Sequence, residues 1–158
     1  MKINRLTVTR RAVNLGFVLT ALGSRLLQNT GRAQSVLPVR ITELEKLKSV
    51  WDDAEFRFAN QVCVLVRVPV PRTPNPRVLN LTQDKEQITL IAYSRVCTHL
   101  GCTTTLPNGL RMLNCGCHGS EFDASNGNVV AGPASAPLRA VKLEVREGAV
   151  FAVGWLDS

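Results

Sequence analysis

The sequence predicts an all-β domain of antiparallel strands, and three observations predict it. Short runs rich in valine and isoleucine recur between residues 55 and 153. Asn-Gly and Glu-Gly pairs punctuate them as turns. One nine-residue stretch, Leu138 to Arg146, alternates apolar and polar side chains closely enough to place one face inside and the other in water.

The elements follow in order. Between Arg40 and Trp51, the residues Ile41, Leu44, Leu47 and Val50 recur at intervals of three, which predicts a helical turn or short helix packed on the sheet. Strands are expected at Glu55 to Phe58 and Val62 to Val68. Within the second, Val62-Cys63-Val64-Leu65-Val66 is apolar throughout, and Cys63 is expected to pack there as a small hydrophobe. The segment Pro69 to Pro76 contains four prolines, which remove backbone donors, and so reads as a surface loop. Ile88 to Tyr93 and Leu110 to Leu113 are the next strands, the latter following the Asn108-Gly109 turn. Val129 to Ala131 follows the Asn126-Gly127 turn. Leu138 to Arg146 then turns at Glu147-Gly148 into Ala149 to Val153.

Two stretches among these strands hold four of the five cysteines and both histidines: Cys97-Thr98-His99-Leu100-Gly101-Cys102 and Cys115-Gly116-Cys117-His118-Gly119-Ser120. Each offers one cysteine and one histidine at short spacing, Cys-x-His in the first and Cys-x-x-His in the second. Two such loops would clamp one metal group from opposite sides. Two thiolates and two imidazoles can also hold tetrahedral zinc, but zinc modules pair Cys with Cys and His with His along the chain. The mixed pairs suit a 2Fe-2S cluster in which thiolates hold one iron and imidazoles the other. A disulfide-stapled domain without metal would leave the only two histidines without a role.

On these two boxes the chain resembles the Rieske iron-sulfur proteins, in the branch of cytochrome bc-type complexes and arsenite oxidase small subunits. The resemblance is strongest from Ile88 to Val141. It implies a Rieske-type antiparallel β-sandwich over residues 34–158, with a small cluster-binding subdomain of two loops at about residues 93–137. It implies one 2Fe-2S cluster, with Cys97 and Cys115 on the inner iron and His99 and His118 on the outer one. It also implies a disulfide between Cys102 and Cys117, cysteines that the Rieske ferredoxins and oxygenases of ring-hydroxylating systems lack. Ser120 would donate its hydroxyl to a bridging sulfide, and Gly132-Pro133-Ala134-Ser135-Ala136-Pro137 would cover the cluster as the family's proline loop. Two positions depart from the pattern. Gly116 replaces a common proline, and Phe122 stands where high-potential members have a tyrosine that donates to a ligating sulfur. The midpoint expected from this set lies inside the family range of about −150 to +300 mV, below the high-potential bc-type members and above the dioxygenase-type clusters.

Residues 1–33 read as a separate export leader. They carry Lys2, Arg5, Arg10, Arg11, Arg25 and Arg32 and no acidic residue, and Gly31-Arg32-Ala33 offers small side chains for cleavage. Thr9-Arg10-Arg11-Ala12-Val13 resembles a twin-arginine signal. The apolar stretch between Arg11 and Arg25 is too short for a stable membrane span, which needs about 20 residues. Membrane association would come only through an uncleaved leader. The formal charge of +7 belongs largely to this segment, because without its six basic residues 13 remain against 12 acidic ones. The basic balance is therefore no sign of nucleic-acid binding. An exported location, on the periplasmic or thylakoid lumen side, agrees with a persistent disulfide.

The chain shows no nucleophile triad and no phosphate loop, so it is expected to carry electrons within an oxidoreductase rather than catalyse alone. The segments Ile91 to His99 and Ser120 to Ala124 look more like arsenite oxidase small subunits. The first expectation is thus an electron-transfer subunit of an exported molybdopterin oxidase, with cytochrome c or a similar acceptor. The alternative is the Rieske subunit of a cytochrome bc or b/f complex, oxidising quinol beside cytochrome b. A soluble Rieske ferredoxin feeding an oxygenase comes third.

Overall fold

In the computed structural model, residues 37–156 are described, and the expected leader at residues 1–33 lies outside them. The described residues form ten strands in three antiparallel sheets. The first sheet has the order β1-β10-β9, with β1 at Val39–Glu43, β9 at Val141–Arg146 and β10 at Ala149–Trp155. The second has the order β2-β3-β5-β4, with β2 at Asp53–Phe58, β3 at Gln61–Val68, β4 at Leu79–Gln83 and β5 at Glu86–Ser94. The third is small, β6-β7-β8, at Met112–Asn114, Glu121–Asp123 and Val129–Ala131.

The second sheet is the middle layer, and period-two alternation divides its side chains between two cores. Cys63 and Leu65 of β3, with Leu90 and Ala92 of β5, join Phe56, Phe58, Val141, Leu143, Val150 and Ala152 in the core shared with the first sheet. Val64, Val66 and Val68, with Ile91 and Tyr93, face the other way, onto Cys97, Leu113, Cys115, Phe122 and Leu138. This is why Val62 to Val66 of β3 is apolar throughout: it is covered on both faces. Cys63 therefore lies on the opposite face of the sheet from the cysteines of both boxes. It packs as the small hydrophobe expected, and burial pushes its thiol up to about 12.

Tight hairpins set the strand register. Ala59-Asn60, Asp84-Lys85 and Glu147-Gly148 each place two consecutive residues at positive φ. That is the type I′ geometry whose twist matches antiparallel strands. They join β2 to β3, β4 to β5 and β9 to β10.

Some elements differ from the sequence expectation. Within the segment expected to hold a helical turn or short helix, Leu44–Lys46 forms a 3-10 turn, while the residues before it belong to β1, which pairs with β10, as Val39 with Ala152 and Glu43 with Ala149. Spacing by three suited both outcomes, because a bulge between Arg40 and Thr42 followed by one tight turn still brings Leu44 and Leu47 inside. The strands β4 and β7 were not expected; each is short or half-exposed and is defined by its partner. The strand β9 starts at Val141 rather than Leu138, because Leu138 donates its N–H to the Gly127 carbonyl and packs in the core that holds Cys97 and Cys115.

Candidate metal centre

The two boxes fold into the same loop. In the first, Cys97 N–H donates to the Cys102 carbonyl at 2.7 Å and Gly101 N–H donates to the Cys97 carbonyl at 2.9 Å. In the second, Cys115 N–H donates to the Ser120 carbonyl at 2.8 Å and Gly119 N–H donates to the Cys115 carbonyl at 3.0 Å. Each box is thus a six-residue loop closed from its first residue to its last, with the fifth residue folded back on the first. That fifth residue is glycine in both, with φ of +81° at Gly101 and +74° at Gly119, a region that other residues enter only with strain. The shared Cys-x-x-x-Gly spacing was the sequence signal for these two positions, and the reading by ligands alone passed over it.

The sheets position each loop. The first leaves the end of β5, and its two ends are tied by an isolated bridge between Val96 and Thr103 and by the Thr104 N–H donating to the Arg95 carbonyl. Arg95 is buried at 9% exposure, donates Nε and Nη2 to the Thr104 carbonyl, and pairs through Nη1 with Glu55 on β2. The second loop is the tip of the β6–β7 hairpin, held by the Leu113–Phe122 pair.

This geometry separates the donors by depth. Cys97 and Cys115 are free thiols, 2% and 3% exposed, within the same apolar cluster. His99 and His118 lie further out, half-buried and exposed, with ring centroids 4.8 Å apart and planes at 89°. A disulfide joins Cys102 to Cys117 and fastens the loops together. Cys115 Sγ lies within 4.8 Å of both bridge sulfurs, but those two are committed to each other, so Cys115 is the available ligand of the three.

The donor set fits a cluster. His99 Nδ1 is buried without a hydrogen-bond partner, a cost that a native site rarely carries unless an unseen group takes up the lone pair. The two buried thiols, Cys97 and Cys115, supply the sulfur side of a mixed ligand set.

The proline loop binds to both boxes at once. Thr98 donates its hydroxyl to the Ala136 carbonyl at 2.6 Å, and the Ala134 N–H donates to Ser120 Oγ at 3.1 Å. Ser120 is fully buried, and accepting from Ala134 leaves its own hydroxyl proton available. Leu100 beside His99 is 68% exposed. A cavity of about 720 Å³ opens elsewhere, between the proline segment with Arg72 and the turn at Asn126, and takes in no residue of either box.

Comparison with known proteins agrees with this arrangement. The family model described as "Rieske [2Fe-2S] domain" matches residues 52–142. A cytochrome b6-f complex iron-sulfur subunit of Gloeobacter violaceus is 38% identical over 74 residues, which cover 47% of this chain and 39% of that one. The corresponding subunit of Prochlorococcus marinus is 36% identical over 78 residues, covering 49% and 43%. The matched part is thus less than half the length of these relatives. Among solved structures, the soluble domain of the Rieske protein II of Sulfolobus acidocaldarius shares the fold, with a TM-score of 0.57 at 22% identity over 76% of this chain and 78% of that one. A cyanobacterial plasma membrane Rieske protein from Synechocystis gives 0.52 at 22% identity over 72% and 97%.

Proposed function

The chain belongs to the Rieske 2Fe-2S domain family, and from that premise we propose that it is the one-electron carrier subunit of an extracytoplasmic redox complex of the cytochrome b6-f or bc kind. The observation that carries the reading is the depth ordering of the donors, buried thiols at Cys97 and Cys115 and outer imidazoles at His99 and His118. When bound there, a 2Fe-2S group supplies a one-electron couple raised by its two neutral imidazole ligands.

The protein's part is to hold that group and present one edge of it. Cys97 and Cys115 would hold the inner iron, away from water. His99 would bind through Nδ1, the atom left unpartnered, so that its other ring nitrogen carries the proton and meets a partner. His118 would do the same from the second loop. Ser120 would turn its free proton toward the cluster while the proline loop keeps its oxygen fixed. The exposed Leu100 gives the histidine edge an apolar margin for a docking partner. With the histidine edge at the surface and the 720 Å³ cavity elsewhere, this geometry suits electron transfer across a protein contact rather than turnover of an enclosed substrate.

The relatives favour the quinol-oxidising reading over the molybdopterin oxidase that the flanking residues first suggested. A larger membrane redox subunit such as cytochrome b is accordingly the proposed partner, with a cytochrome as acceptor. Residues 1–33 would serve as the twin-arginine leader that exports the folded domain, residues 34–158.

Reduced protein, purified after cytoplasmic maturation, should give the low-temperature paramagnetic signal of a histidine-ligated 2Fe-2S centre. Replacing His99 and His118 together should abolish it. A colourless, iron-free product from the unaltered chain would refute the proposal.

A further inference from the structure

The Cys102–Cys117 disulfide lies against the buried free thiol of Cys115, with all three sulfurs within 4.8 Å of one another. Cys115 is 3% exposed, Cys102 is half-buried and Cys117 is exposed. On the reading above, iron occupies the Cys115 sulfur and the disulfide clasps the loops. Without iron, a nucleophile stands beside a disulfide, which is the arrangement for thiol–disulfide exchange.

We propose that this trio is an exchange site that acts whenever the cluster is absent. Cys115 Sγ attacks Cys102 Sγ, the Cys102–Cys117 bond breaks, a Cys102–Cys115 bond forms, and Cys117 leaves as a thiolate. One disulfide replaces another, so no oxidant or reductant is consumed. The proton given up by Cys115 returns through solvent to Cys117.

The choice of target follows from the fold. Cys115 and Cys117 are separated by Gly116 alone, so attack on Cys117 would close a cramped Cys-Gly-Cys ring. Cys102 sits on the other loop, and a bond from it to Cys115 still joins the same two loops. The expelled Cys117 is the exposed sulfur of the pair, where water stabilises the leaving thiolate.

The consequence concerns assembly. A Cys115 bound in a disulfide can no longer hold iron, so a chain that loses its cluster, or closes its disulfide before receiving one, becomes unable to reload. A dithiol reductant reverses the state. The cluster and the disulfide therefore have a required order, iron first.

The inference rests on Cys115 being an iron ligand, and the experiment separates the two claims. Purified full-length protein is assayed for iron and then divided. One half is kept intact, and the other is stripped anaerobically with an iron chelator in the absence of thiols. Both are denatured in alkylating reagent and their cross-linked peptides mapped by mass spectrometry. The loaded half should show Cys102–Cys117. The stripped half should lose that peptide, gain Cys102–Cys115 and carry the alkyl group on Cys117. It should also fail to rebuild the cluster from ferrous iron and sulfide until dithiothreitol is given first. A Cys102–Cys117 bond persisting after stripping with Cys115 alkylated, or Cys115 paired with Cys97 or Cys117, overturns the proposal. Iron-free starting material that already holds Cys102–Cys115 supports the exchange while refuting the cluster reading. Iron-free material with Cys102–Cys117 intact and Cys115 alkylated overturns both.

Discussion

Gly132 of the proline loop sits directly on Ser120 of the second box. A Cβ at Gly132 would lie 2.5 Å from Ser120 Cα, 2.7 Å from Ser120 N and 2.5 Å from the Gly119 carbonyl oxygen. All three are backbone atoms and none can swing away, so the loop approaches the box closely only because this residue has no side chain.

Gly132→Ala should therefore lift the proline loop off the second box. Its φ of +86° alone costs an L-residue about 1–2 kcal/mol, and the backbone overlap adds to that. The expected outcome is a lower thermal midpoint and faster cluster loss, read as bleaching of visible absorbance under chelator. Unchanged bleaching would show that the contact between Gly132 and Ser120 does not hold the loop.

Arg95 should matter far more than the glutamate it pairs with. Its guanidinium is buried and holds the Thr104 carbonyl, whereas the Glu55 side chain is 51% exposed. Charged hydrogen bonds of this kind contribute about 1.5–3 kcal/mol each, and a half-exposed ion pair contributes about 0–1 kcal/mol. Arg95→Gln should cost roughly the first amount and broaden the paramagnetic signal by loosening the loop of Cys97 and His99, while Glu55→Gln should cost little. Equal losses in denaturant titration would contradict this ranking.

Phe122 is fully buried in the apolar cluster that contains Cys97 and Cys115. A phenyl ring cannot donate a hydrogen bond, and a donor to a ligating sulfur stabilises the reduced, more negative state. Phe122→Tyr should raise the midpoint in a redox titration. A fall, or no change, would mean that the added hydroxyl does not reach a ligand sulfur.

Alkaline stability should carry the mark of Cys63 and Tyr93. Burial pushes the Cys63 thiol up to about 12 and holds the Tyr93 hydroxyl well above its ordinary value. In the unfolded chain both lose protons earlier, at about 8.5 for a free thiol and about 10 for a free phenol. The unfolded state then binds fewer protons than the native one, so stability falls as pH rises. The contribution of Cys63 is complete below about 8.5 and disappears on the way to about 12, with a slope of at most about 1.4 kcal/mol per pH unit. Cys63→Ala should begin less stable near neutrality but lose less between about pH 8.5 and 10.5. Parallel urea midpoints for the two proteins across that range would rule the thiol out as a cause.

The candidate ligands were legible before any fold was known, because Cys97, His99, Cys115 and His118 carry chemistry in their identity and local spacing. The strands β3, β8 and β10 were legible too, since Val62 to Val66 and Val129 to Ala131 are dominated by side chains with a local preference. The strands β4 and β7 were not. Their residues have no strong preference and become strands by hydrogen bonding to β5, and to β6 and β8. The segment from Val39 to Lys46 went to strand and tight turn because pairing with β10 outweighs a period shared by two conformations.

What the sequence alone determined is the donor set, the glycine that closes each box and the apolar content of the middle strands, all properties of residues and their neighbours. Tertiary structure decided depth and contact. It put Cys63 and the box cysteines on opposite faces of one sheet, left His99 Nδ1 without a partner, set Cys115 against the disulfide and brought Gly132 down on Ser120. Those relationships join residues far apart in the chain, so they arise only from the register of the strands and the packing of two cores, which no local pattern encodes.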